Sequence, residues 1–448
     1  MTASKLDRTH DASARGWLAS ANDADTDFPL QNLPFGVFRR TDGNGSPRGG
    51  VAIGDQVLDL QALGEAGCLD GLALEAARAA AGPSLNALLS RGPQAWRALR
   101  HALFDLLHAD AAAIAPKKVA SARECLVPLS DITLELPVRI GDYTDFYTSI
   151  HHARNIMRLL DPRGEVSPNF QWIPCAYHGR VSSIGVSGQR FHRPNGQFVP
   201  AGASVPVYGA CQRLDYELEL GIYIGVGNAQ GRRIPLADAE EHVFGISLLN
   251  DWSARDIQAW EMAPLGPFHA KNFATTLSPW IVTMDALAPF RTPWDRPSTD
   301  PQPLPYLEGE DHRRGGGLDI QLEVRLETQR MRAERISPQA ISRTCFSHHY
   351  WSIAQMVTHH AAGGCNLQPG DLLGSGTISG PAPAEAGALM ELSRAGRMPV
   401  RLHNGEERGF LEDGDAVIFH GWCQRDGFQR IGFGLNRGQV LPALAHDI

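Results

Sequence analysis

The pattern of apolar and polar positions changes character near Pro137. Before it, Gly36-Val37-Phe38 and Gly50-Val51-Ala52-Ile53 form short apolar runs around a turn at Asp42-Gly43, and Gln56 to Leu60 alternates. Short alternating runs separated by turn residues predict a small β module. Leu72 to about Ala112 is rich in Ala and Leu and predicts helix, broken at Gly82-Pro83. After Pro137 short strands separated by Gly and Pro dominate. The expected organisation is a disordered extension over residues 1–26, a β module with a helical segment over 27–137, and a larger β-rich region over 138–448. Pro289 to Gly317 is rich in Pro, Asp, Arg and Gly and predicts a long surface loop, with Gly315-Gly316-Gly317 a flexible turn.

Leu218, Leu220, Ile222 and Ile224 repeat at period two, which predicts a strand. The same period puts Glu217 and Glu219 together on the opposite face. Like charges on one half-buried face repel, and a divalent cation relieves the repulsion; the alternative is a solvated face with two surface glutamates. Asp145, in Asp142 to Tyr147, and Asp251, in Asn250 to Asp256, are further acids that such a site could gather. Oxygen ligands favour a hard ion, Ca²⁺ or Mg²⁺, over zinc.

Asp142 is expected to cap a helix running to about Leu160, with Asp145 in its first turn. Asp145 and His152 would then share a face roughly 10 Å apart, too far for easy ligation of one ion by both. His152 would instead touch a substrate lying beside the metal. Tyr147, His151, Arg154 and Arg158 would form the neighbouring stripe. A second helix is expected over Ser253 to Met262, capped by Ser253, with Arg255 and Gln258 pointing the same way. A cation and an amide beside a metal suit stabilisation of an oxyanion. Lys271 follows in an apolar setting. The pairs His348-His349 and His359-His360 flank a helix ending at Gly363-Gly364 and are assigned to packing or capping.

The chain has 448 residues and a formal net charge of -8, which argues against nucleic acid as a partner. Its seven cysteines are scattered and include no C-x-x-C pair, as in a reducing cytoplasm. Met1 to Ser20 lacks the apolar core of a signal peptide, and no apolar run is long enough to span a membrane. No nucleophile elbow, H-E-x-x-H, phosphate-binding loop or dinucleotide fingerprint is found.

Several longer strings are distinctive: Gln31 to Phe38, Asp142 to Tyr147, Tyr177-His-Gly-Arg180, Asn250 to Gln258, Pro264 to Phe268, and Gly376 to Gly380. In order and content they resemble the fumarylacetoacetase family, from about residue 28 to the C-terminus. The resemblance implies a mostly β fold, an SH3-like N-terminal domain and a mixed-β-roll catalytic domain, assembled as a homodimer. It implies calcium ligands at Asp145, Glu217, Glu219 and Asp251, and a structural Mg²⁺ involving Asp251, Lys271 and Thr275. It implies a general base at His152 oriented by Glu391, which lies in the alternating run Ala388 to Ser393. Arg255, Gln258 and Lys271 would polarise a carbonyl, and Tyr147, Tyr177, Gln258 and Thr377 would contact substrate.

The implied reaction is hydrolysis of a carbon–carbon bond in a β-diketone, giving fumarate and acetoacetate at the end of tyrosine and phenylalanine degradation. His152 would deprotonate water, three donors would hold the attacked carbonyl, and a bound metal would stabilise the departing enolate. Two positions depart from the family pattern. Asp161 falls where the family has a substrate-binding arginine, and Met262 where it has a tyrosine. Arg158 is the expected replacement for the lost cation. Two other readings follow: a related hydrolase or decarboxylase of another acylpyruvate or β-keto acid, and a non-catalytic metal-binding protein.

Overall fold

The computed structural model describes residues 6–43, 45–160 and 163–445. Five antiparallel strands form the N-terminal sheet, in the order Leu126–Pro128, Gln56–Asp59, Arg48–Ile53, Phe35–Arg40, Ile132–Glu135. Helices Gly71–Ala80 and Pro93–Leu107 lie beside it, separated by the short helix Asn86–Leu89 that follows Gly82-Pro83. Proline at the start of Pro93–Leu107 costs no hydrogen bond, because its missing N–H would be unpaired there anyway.

Two larger sheets build the rest. The first is mixed and eight-stranded. At its centre Leu218–Ile224 pairs with Val243–Asp251 on one side and Leu372–Gly374 on the other. Tyr143–Tyr147 runs parallel to Leu372–Gly374, and Thr275–Leu277 pairs with the end of Val243–Asp251. The second sheet has the order Gln339–Cys345, Gln321–Glu327, Ala416–Cys423, Ile431–Leu441, Gln189–His192. Leu220 and Leu248 of the first sheet share one core with Leu322, Phe419 and Phe433 of the second. Tyr223, Phe244 and Leu249 belong to the core formed with the N-terminal helices. The first sheet is therefore covered on both faces. That corrects the half-buried strand expected at 218–224: every residue of Leu218–Ile224 is buried, and Glu217 and Glu219 are not surface groups.

Several local expectations are overturned. Residues 7–26 are ordered by packing, while 1–5 lie outside the described residues. Thr9 and His10 are buried, and the Gln31 amide donates to the carbonyls of Asp11 and Ala14. Buried Arg100 donates to Thr9 Oγ1 and to the carbonyls of Gln31 and Asn32. Asp145 lies on a strand, not in a helix, because Tyr143, Phe146 and Tyr147 fit a pleated sheet; the helix begins at Ile150. Ser253 and Ala254 form a short strand, so the next helix starts at Arg255 without a side-chain cap. Glu391 lies in the short helix Leu389–Leu392.

The segment 289–317 is anchored rather than loose. Trp294, Arg296, Leu307 and His312 are buried, and so are Gly316 and Gly317. The Arg296 guanidinium stacks 4.0 Å from the ring centres of Tyr350 and Trp351. It donates to the carbonyls of Gln171 and Pro301. Desolvation without a carboxylate partner lowers its pKa to about 10.

Burial also pushes His312 down to about 3 and His349 down to about 4, so both stay neutral in the folded chain near pH 5. In the unfolded chain they charge below about pH 6.5. The unfolded state then binds more protons, and stability falls as pH drops from about 6.5 towards 4. At pH 5 the loss should be on the order of 2 kcal/mol per histidine. Urea unfolding at pH 7 and pH 5 checks this: replacing both histidines by glutamine should flatten the difference.

Candidate active site

Three strands deliver three acids to one point. Asp145 lies on Tyr143–Tyr147, Glu219 on Leu218–Ile224, and Asp251 ends Val243–Asp251. One carboxylate oxygen from each lies within 4.8 Å of the others, and all three side chains are buried. The register explains the convergence: Asp145 pairs with Gly374, which pairs in turn with Gly221. An added Cβ at Gly374 would sit 2.7 Å from Asp145 Oδ1 and 3.0 Å from Glu219 Oε2, so a side chain there would displace the acids. The Gly376 N–H donates to Glu219 Oε2 at 3.0 Å from a backbone at φ +74°.

Burial and the neighbouring Asp251 charge push Asp145 well above the usual carboxylate range. Burial, Asp145 and Asp251 do the same to Glu219. Asp145 Oδ1 and Glu219 Oε1 are buried without a hydrogen-bond partner. Three converging carboxylates, two of which carry an unsatisfied oxygen, fit a hard divalent cation. The Tyr177 hydroxyl lies 2.7 Å from Asp145 Oδ2 and 3.1 Å from Asp251 Oδ2.

Glu217 is placed differently from the expected fourth ligand. Its carboxylate pairs with Arg255 Nη1 at 2.7 Å and with the Lys271 ammonium. Burial opposes its ionisation, but these two cations overcome that and hold Glu217 below the usual range. Lys271 also donates to Asp251 Oδ2 at 2.7 Å. Thr275 lies directly across the strand pair from Asp251. Arg255 is fixed by buried Asp215 at 2.9 Å and reaches Gln258 Oε1 at 3.1 Å. Five buried carboxylates (Asp145, Asp215, Glu217, Glu219, Asp251) thus face two buried cations, Arg255 and Lys271.

A cavity of about 540 Å³ opens over this cluster. His152, Tyr147, Tyr177, Gln258, Met262 and Thr377 are among its lining residues. His152 Nδ1 lies 2.8 Å from Glu391 Oε2, which leaves Nε2 available to the cavity. The Tyr147 ring meets His152 edge-on, with centroids 5.4 Å apart. Phe170 backs Tyr147 from 5.6 Å. Ile156, Met157 and Met390 make part of the wall apolar.

Arg158 is not among the lining residues. It is exposed, and its stem lies against Gly164. Tyr147 precedes the helix, so the expected stripe from Tyr147 to Arg158 does not form. Asp161 lies outside the described residues. Arg163 lines an adjoining cavity of about 390 Å³ that shares Tyr147 and Met157 with the first. Asp215, Gly374, Asn155 and Ser379 are further members of the site that sequence reasoning passed over. Only Gly374 and Ser379 lay near a distinctive string, Gly376 to Gly380.

The cation deficit has a signed consequence. In chelator, Asp145→Asn should unfold at a higher temperature than the parent, because it removes one of three mutually repelling charges. With calcium or magnesium added the order should reverse. The parent should gain about 2.7 kcal/mol at a hundredfold excess over Kd, and the variant much less. Thermal melts with and without chelator measure both.

Comparison with known proteins follows the same division of the chain. The profile for the fumarylacetoacetase N-terminal region matches residues 31–137, and that for the fumarylacetoacetate (FAA) hydrolase C-terminal region matches residues 143–440. Fumarylacetoacetase of Bos taurus is 48% identical over 423 residues, covering 94% of this chain and 98% of its own. That of Homo sapiens is 47% identical, covering 94% and 97%. That of Arabidopsis thaliana is 46% identical, also covering 94% and 97%.

Proposed function

The chain belongs to the fumarylacetoacetase family, and on that footing we propose that it hydrolyses 4-fumarylacetoacetate to fumarate and acetoacetate. One observation carries the reading: Asp145 and Glu219 of the acidic triad, Arg255, Lys271 and His152 all line one cavity, with Asp251 and Glu391 hydrogen-bonded to Lys271 and His152. Hydrolysis of a β-diketone needs a base for water, donors for the attacked carbonyl, and charge stabilisation for the departing carbanion. A purely metal-binding protein has no use for the first two.

His152 acts as general base through Nε2, with Glu391 holding the Nδ1 proton. Arg255, Gln258 and Lys271 stabilise the oxyanion, the Arg255 and Lys271 charges being fixed in advance by Glu217. Asp145, Glu219 and Asp251 would hold the metal, with Glu217 lining the same cavity; calcium is the proposed ion, with magnesium at the neighbouring Asp251–Lys271–Thr275 position. When bound, the metal supplies Lewis-acid stabilisation of negative charge on a substrate oxygen. Tyr147, Tyr177 and Thr377 contact substrate from the cavity wall. We extend the reading to a cytoplasmic homodimer acting in tyrosine and phenylalanine breakdown. Seven free cysteines support the reducing compartment, and the family resemblance supports the rest.

The distal carboxylate of the substrate needs a cation. Arg163 is exposed like Arg158, but it lines the adjoining cavity beside Tyr147 and Met157, which suits it to that role. The apolar wall with Met262 favours a second reading, an acylpyruvate with a less polar tail.

Purified protein should consume fumarylacetoacetate, followed by loss of the diketone absorbance. His152→Ala should lower turnover by about 10²- to 10⁴-fold. Adding Glu391→Gln to it should cost little more, because both act on one step. Full activity in His152→Ala would move the base elsewhere, with His151 the first suspect.

Arg163→Ala should raise KM for fumarylacetoacetate with a smaller effect on kcat, while Arg158→Ala should change neither. Higher kcat/KM on a neutral-tailed acylpyruvate, with Arg163→Ala silent, would establish the second reading instead.

A further inference from the structure

We propose that Asn155 is a positioning residue for hydrolysis, fixing the Glu391 carboxylate at the oxygen that His152 does not engage. The inference rests on the reading of His152 and Glu391 as base and orienter. Asn155 lies three residues after His152 on the helix Ile150–Leu160, so both side chains reach the same neighbour. The neighbour is Glu391: His152 Nδ1 is 2.8 Å from Oε2, and Asn155 Nδ2 donates to Oε1 at 2.8 Å. An amide oxygen turned toward that carboxylate would repel it, which fixes the amide orientation.

Ser379 completes the cradle. Its hydroxyl lies 3.0 Å from both Glu391 oxygens and accepts the Gly387 N–H at 2.9 Å. With that N–H as donor, the hydroxyl proton is left to point at Glu391. Ser149 ties the loop to the helix, accepting the His152 N–H and donating to the Ser379 carbonyl at 3.0 Å.

A carboxylate held at one oxygen can still turn about its last bond. Held at both, it presents Oε2 to His152 in one plane and fixes the imidazole with it. Asn155 does not line the cavity, so its effect reaches substrate only through Glu391 and His152.

Asn155→Ala should lower kcat on fumarylacetoacetate by about ten- to a hundredfold, the loss typical when an orienting partner is removed. KM should stay unchanged, since no substrate contact is lost. Asn155→Asp keeps the side-chain volume but sets a second carboxylate against Glu391, so it should lose more kcat than Asn155→Ala. In a Glu391→Gln background, Asn155→Ala should have almost no further effect, because the unit is already broken.

An equal loss in both backgrounds would overturn the proposal. So would a parental kcat in Asn155→Asp, or a loss confined to KM. A silent Asn155→Asp together with an inactive His152→Ala would sink this inference alone. An active His152→Ala would sink the base assignment beneath it.

Discussion

Five buried carboxylates gathered at one site, against two buried cations, are the constraint around which this molecule is organised. Burial of an uncompensated charge costs more than any single packing contact returns. The fold meets the cost in two ways. Asp215 and Glu217 are neutralised by Arg255 and Lys271. Asp145 and Glu219, with Asp251 that Lys271 also reaches, are left as converging oxygens suited to a hard cation. Such a cluster loses stability as an empty site and gains function as a filled one, the usual exchange at an active site.

The two halves of the site are mechanically joined through Asp215. It binds Arg255 on the acidic side and accepts the backbone N–H groups of Leu389 and Met390 on the other. Those N–H groups open the short helix that carries Glu391. Arg255 and the short helix that carries Glu391 therefore share one buried anchor. That link explains how groups far apart in sequence keep a fixed mutual geometry without a ligand between them.

Beside His152, an aromatic wall runs from Tyr147 through Phe170 to Tyr350. Arg296 closes it from the segment 289–317, stacked on Tyr350 and Trp351. A guanidinium is suited to this because it stacks as a plane while still donating to carbonyls. A stretch whose composition reads as loop thus becomes structure through one buried cation.

What the sequence alone determined was chemistry and local pattern. The acids, His152 and the family strings were legible because they are carried by residue identity. The break at Gly82-Pro83 and the strand at 218–224 were legible because they are carried by short-range periodicity. What only the tertiary structure decided was how distant residues meet. Period two is the same whether a strand is covered on one face or both, so the burial of Glu217 and Glu219 was invisible until the second sheet and the N-terminal helices closed over them. Helical spacing made Arg158 a partner of Tyr147, but pairing with Leu372–Gly374 drew residues 143–147 into the sheet and left Arg158 outside the cavity. Glu217 carries the same side chain as Glu219, yet it became a counterion because Arg255 and Lys271 reach it first. Identity is written in the chain, but the partner of a charge is set by which strands pair, and strand pairing is a long-range property.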